Sequence, residues 1–146
     1  MHDLNKIFLA VADALNIEAT SIIEKDYYVV ELLRLLQPLK FETHDLVFAG
    51  GTALAKANIQ LNRMSEDVDI KIVPKPDIAL SRSKAKSIRK QLNQQLQEII
   101  AQSEFFTVED KTVRDEYRYI ELSVRYPQQF SQVPCLRPFI KLEMME

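Results

Sequence analysis

The 146 residues contain no tryptophan, one cysteine, two histidines and only two glycines, and no long apolar run. Each shortage removes a class of protein. A single cysteine, Cys135, cannot close an internal disulfide, so the chain reads as a protein of a reducing, cytoplasmic compartment with a structural thiol. His2 and His44 share no nucleophile motif with that cysteine and form no cluster that would position a hydrolytic water, which argues against a phosphohydrolase. The apolar runs are short and broken by charge, so neither a signal peptide nor a membrane span is expected. With 19 basic and 21 acidic residues the formal charge is −2. That balance argues against general affinity for nucleic acid, and any RNA contact has to be local.

What is present suits a small enzyme domain. A hydrophobic fraction of 47% supplies a real core, and the length implies one domain over residues 1–146, with N-terminal helices in 1–40 and a core from about 45 onward. A short helix is expected over 3–15 and a longer one over 18–37, where Ile23, Tyr27, Val30, Leu33 and Leu36 recur at helical intervals before Pro38. Pro74 and Pro76 end the next regular segment, and Asp77 and Ser81 are candidate caps for a helix reaching about Ser103. Its first half carries Arg82, Lys84, Lys86, Arg89 and Lys90, a face that reads as solvated, with an RNA grip as the alternative; its second half buries Leu92, Leu96, Ile99 and Ile100. Strands are expected over 105–109 and 117–126 around a charged turn at 110–116, and a last strand over 137–144. The order is α/β.

The chemistry concentrates between Phe48 and Val73, FAGGTALAKANIQLNRMSEDVDIKIV. Asp67, Val68, Asp69, Ile70, Lys71 and Ile72 alternate polar with apolar, so a strand there puts both carboxylates on one face. Two like charges on adjacent same-face positions repel. A fold retains such a pair around a cation, and oxygen-only ligands select a hard ion, Mg²⁺ or Mn²⁺. Upstream, Leu46 to Ala49 is a short apolar run that ends at Gly50 and Gly51, after which Thr52 to Ala57 favours helix. Strand, tight turn and helix in that order let the backbone approach a ligand and aim free N–H groups at phosphate oxygens. Thr52 adds a hydroxyl, and Lys56, one turn on, an ammonium for a triphosphate. Taken singly, a Gly-Gly before a helix is a common turn and the aspartates suit a solvated edge strand; their joint spacing favours a site.

GGTALAK followed by NRMSEDVDI resembles the signature of the AbiEii/AbiGii toxin family of nucleotidyltransferases, a branch of the polymerase-beta-like fold. IEKDYYVVELLRLL, from Ile23 to Leu36, resembles the family's N-terminal helix, and PFIKLEM resembles the strand with its third carboxylate. The resemblance implies a minimal nucleotidyltransferase fold, a mixed β-sheet flanked by helices. It implies transfer of a nucleotide from an NTP to a hydroxyl acceptor on RNA, with transfer-RNA 3′ ends the family expectation. A cognate antitoxin and a part in phage defence follow likewise. The implied metal and catalytic residues are Asp67, Asp69 and a third acid; a basic residue two positions earlier, Lys141, favours Glu143 over Glu121. Nucleotide binding is implied for Gly50, Gly51, Thr52, Lys56 and Ser65, with Arg63 shaping the approach. Lys25 and Asp26 match the family's Glu-Lys-Asp segment and either reach the site or form a surface ion pair. Family members continue into a helical C-terminal region, whereas this chain stops three residues after Glu143. A catalytically impaired, nucleotide-binding or antitoxin-binding remnant is therefore the alternative expectation.

Overall fold

A computed structural model describes residues 4–14, 20–49, 67–130 and 137–146. Helices α1 (Leu4–Ala14) and α2 (Thr20–Leu36) precede strands β1 (His44–Ala49) and β2 (Asp67–Pro74); helix α3 (Arg82–Gln102) and strands β3 (Thr107–Arg114), β4 (Tyr119–Arg125) and β5 (Ile140–Met145) follow. The strands form one mixed sheet in the order β1-β2-β5-β4-β3. β2 and β5 run parallel at its centre, and every other pairing is antiparallel.

Alternation divides the sheet into two chemically distinct faces. Val68, Ile70 and Ile72 of β2, Ile120, Leu122 and Val124 of β4, and Ile140, Leu142 and Met144 of β5 are at most 2% exposed. They pack with Val29, Leu32 and Leu36 of α2 and Leu92, Leu96 and Ile100 of α3 in one core. Each such side chain contributes roughly 1.5–3 kcal/mol on burial. At the end of this core, Tyr28 stacks on Tyr126 at 5.3 Å and takes Tyr27, Phe105 and Phe106 edge-on, while Phe8 of α1 packs on Tyr27 and Phe130.

Local signals account for the element ends. Ser81 caps α3, its Oγ accepting from the Lys84 amide at 3.3 Å, as its candidacy implied. Ser103 closes the same helix by donating to the Ile100 carbonyl and accepting from the Phe106 amide. Pro38, which lacks a donor, follows the last bond of α2, Gln37 to the Leu33 carbonyl.

The expected charged turn over 110–116 is corrected. β3 continues through Arg114, and the reversal is confined to Asp115–Arg118, where Asp115, Glu116 and Tyr117 all have positive φ. β3 is an edge strand with a register shift between Val108 and Asp110, and such a strand carries charge freely because both its faces meet water. The basic face of α3 is also smaller than its residues suggest. Lys84, Lys86 and Lys90 are exposed, but Arg89 is 1% exposed, its Nε donating to the Glu116 carbonyl and its Nη1 to Glu146 Oε2. Arg82 forks onto Glu116. These two arginines tie the β3–β4 turn to α3.

Candidate active site

On the face of the sheet opposite the helices, the register lines up a row of polar residues. Asp69 is the Cα partner of Glu143 across the parallel β2/β5 pair, Glu143 is the partner of Glu121 across β5/β4, and Glu121 is the partner of Thr112. One row along, Asp67 pairs with Lys141 and Lys141 with Ser123. Three strands from different parts of the chain thus deliver Asp67, Asp69, Glu143 and Glu121 to one surface, with Lys141 among them. β1 ends at Ala49, the backbone partner of Asp69. β1 therefore ends level with the acidic row. Gly50, Gly51, Thr52, Lys56, Arg63, Ser65 and Glu66 lie outside the described residues, as do His2 and Cys135.

Charge is unevenly balanced across the row. Burial pushes the Asp69 carboxyl above its ordinary range, and the nearby Glu143 and Asp67 charges add to the effect. Glu143 moves the other way, chiefly because it accepts from Lys141, whose Nζ lies 2.7 Å from its Oε1. Asp69 and Glu143 stand side by side as register partners, and the Glu143 charge acts on Asp69 directly. Lys141 Nζ is 3.4 Å from Glu121 Oε1 as well. The Tyr119 hydroxyl lies 3.0 Å from Glu121 Oε1 and 3.3 Å from Glu143 Oε1; burial and these acids push it up to about 12. It is a fixed proton donor to both. Asp67 is engaged separately, accepting from Arg137 Nη1 at 2.6 Å.

Among the described residues no three His, Cys, Asp or Glu side chains are gathered into a ready cation cage. The contacts give the physical reason: Arg137 holds Asp67 and Lys141 holds Glu143. The donor set nonetheless fits a hard divalent cation. It is all oxygen and it comes from adjacent strands at one level, with the Arg137 and Lys141 side chains partly balancing its charge.

One residue of this surface escapes sequence reasoning. Arg137 sits 70 positions from Asp67, in the segment leading to β5, and no local spacing connects them. Lys25 was open to a surface ion pair, yet it is 0% exposed and its Nζ donates to the Arg137 carbonyl at 2.9 Å; that expectation is corrected. Its neighbour Glu24 is equally buried and accepts from the Gln129 and Phe130 amides at 2.7 and 3.3 Å.

A family model described as "Nucleotidyl transferase AbiEii toxin, Type IV TA system" matches residues 33–146. The chain belongs to this AbiEii family. The match takes in the whole sheet, α3 and the acidic row, so family and geometry concern the same part of the molecule. Comparison with curated proteins and with solved structures found no match. The AbiEii family is one of nucleotidyltransferase toxins in toxin–antitoxin systems, which agrees with the fold expected from the motifs. No described helix is long and apolar enough to cross a membrane.

Proposed function

We propose that this AbiEii-family chain transfers a nucleotide from an NTP to a hydroxyl of RNA, with transfer-RNA 3′ ends the preferred acceptor, in a Mg²⁺- or Mn²⁺-dependent reaction at Asp67, Asp69 and Glu143. The observation that carries the reading is the placement of Asp69 opposite Glu143 on parallel neighbouring strands with Asp67 two residues away on the same face. When bound, a pair of divalent ions would neutralise the triphosphate and hold the attacking and leaving oxygens in line.

The remaining work falls to the chain's own groups. Asp67, Asp69 and Glu143 would hold the cations, and Glu143 is favoured over Glu121 because it stands one strand nearer Asp69. Lys141 keeps Glu143 ionised, so that its carboxylate is ready to ligate or to accept the proton of the attacking hydroxyl. Tyr119 and Lys141 both hold Glu143 Oε1 while Glu121 shares both partners. Gly50, Gly51, Thr52, Lys56 and Ser65 are proposed to receive the triphosphate, since β1 ends level with Asp69 and these residues lie between β1 and β2 in the sequence. A cognate antitoxin as partner follows from the family.

Labelled NTPs incubated with total RNA and Mg²⁺ provide the test. Labelled RNA should appear with the native chain and disappear with chelator or with Asp69→Asn. Undiminished labelling by Asp69→Asn would overturn the assignment, and nucleotide binding without any labelling would identify a binding remnant.

A further inference from the structure

Two consecutive residues of α2 hold the two ends of the β4–β5 connection. Glu24 takes the amides of Gln129 and Phe130 at its start, and Lys25 takes the carbonyl of Arg137 at its end. Both side chains are 0% exposed. Burying a carboxylate and an ammonium is costly unless each is well bonded, and apolar residues would fill the same volume without that cost. Glu24 and Lys25 also precede the residues that the family model matches. What their bonds secure is the backbone from which the Arg137 side chain reaches Asp67.

The Arg137–Asp67 pair does not explain this anchoring as a stabilising device. Its side chains are 42% and 37% exposed, and ion pairs that open to water contribute little to stability. The pair does place a guanidinium against an oxygen of the carboxylate that would hold a cation. A guanidinium is a planar fork matched to two phosphate oxygens, and it stays charged at any working pH. Once a cation takes the Asp67 oxygens, the guanidinium lies beside whatever anion that cation carries. We propose that Arg137 is a phosphate-binding residue of this site, contacting the triphosphate of the incoming nucleotide, and that Glu24 and Lys25 are the positioning residues that aim it. The inference rests on the nucleotidyl-transfer reading above and deepens it.

Inorganic tripolyphosphate with Mg²⁺ is a probe independent of the base, and calorimetry on the full chain reads its affinity. Arg137→Ala should weaken binding on the order of tenfold or more, and Arg137→Lys, which keeps the charge but loses the fork, should restore only part of it. Lys25→Met should weaken binding in the native background and change nothing further in the Arg137→Ala background, because it acts through Arg137. Additive losses would overturn the positioning role. If Lys25→Met does not fold, as judged by thermal unfolding, Glu24→Gln enters the same cycle, since its amide oxygen retains one acceptor. Native affinity in Arg137→Ala together with lost affinity in Asp69→Asn would overturn the proposal and leave the active site standing. Native affinity in both would overturn the active site itself.

Discussion

Asp67 and Asp69 were legible in the sequence because period-two alternation is a property of the strand alone; their partners were not. Glu143 and Glu121 each sit in an alternating segment that does not by itself separate them; Lys141 and the family pattern favour Glu143, and the register places it beside Asp69 with Glu121 one strand further out. Arg137 carried no local signal, and the Glu-Lys-Asp match at Lys25 left a surface ion pair open, since charged residues in helices and loops usually face water; only tertiary packing reveals that Glu24 and Lys25 are buried. The distinction between the two glutamates is testable. Glu143→Gln should reduce transfer by more than the roughly 10–100-fold typical of groups that merely support a metal ligand, whereas Glu121→Gln, as a supporting group, should fall within that range. Single-turnover kinetics at saturating Mg²⁺ compares them. A larger loss in Glu121→Gln would move the third carboxylate to β4.

At the scale of elements, the helices and the central strands follow from apolar periodicity, Pro38 and the Ser81 cap, all of which act locally. β3 was harder to read because an edge strand has no buried face to impose a pattern, so its second half, from Asp110 to Arg114, resembled a turn. The true turn is unusual in having no glycine: Asp115, Glu116 and Tyr117 have φ of 50°, 53° and 65°. Non-glycine residues in the left-handed region are disfavoured by roughly 1–2 kcal/mol each. What holds them is external, for Arg89 takes the Glu116 carbonyl, Arg82 its carboxylate, and the Glu146 amide bonds the Arg118 carbonyl. Asp115 contributes only an exposed contact to Arg118 at 3.4 Å. Asp115→Gly should therefore stabilise the fold by about 1 kcal/mol, the relief of left-handed strain less the entropy glycine loses. Urea unfolding would show a higher midpoint at unchanged slope; a lower midpoint would mean that the Arg118 contact outweighs the strain.

Over the whole molecule, the sheet has one face that supplies stability and one whose carboxylates cost it. The helix-covered side is apolar and closed, while the other gathers Asp67, Asp69, Glu143 and Glu121 at positions where their charges oppose one another. Asp69 shows the cost directly, because burial and its acidic neighbours raise its folded pKa above 3.8. For a group shifted in that direction, the stability contribution is complete below the unfolded value and is lost as pH rises through the folded one. At neutral pH the ionised Asp69 therefore opposes folding in the absence of a cation. Two consequences of opposite sign follow. Without divalent metal, Asp69→Asn should be more stable than the native chain at pH 7, and the difference should shrink as pH falls toward 4. With metal the order should reverse, since an ion that binds only the folded protein stabilises it by about 2.7 kcal/mol at a hundred times its Kd, and Asp69→Asn would forgo most of that gain. Unfolding midpoints of both proteins, measured with and without Mg²⁺ across that pH range, check the whole scheme. Equal Mg²⁺-induced shifts in the two proteins would show that the cation binds away from Asp69. A native chain already more stable than Asp69→Asn without metal would show that Lys141 fully offsets the repulsion.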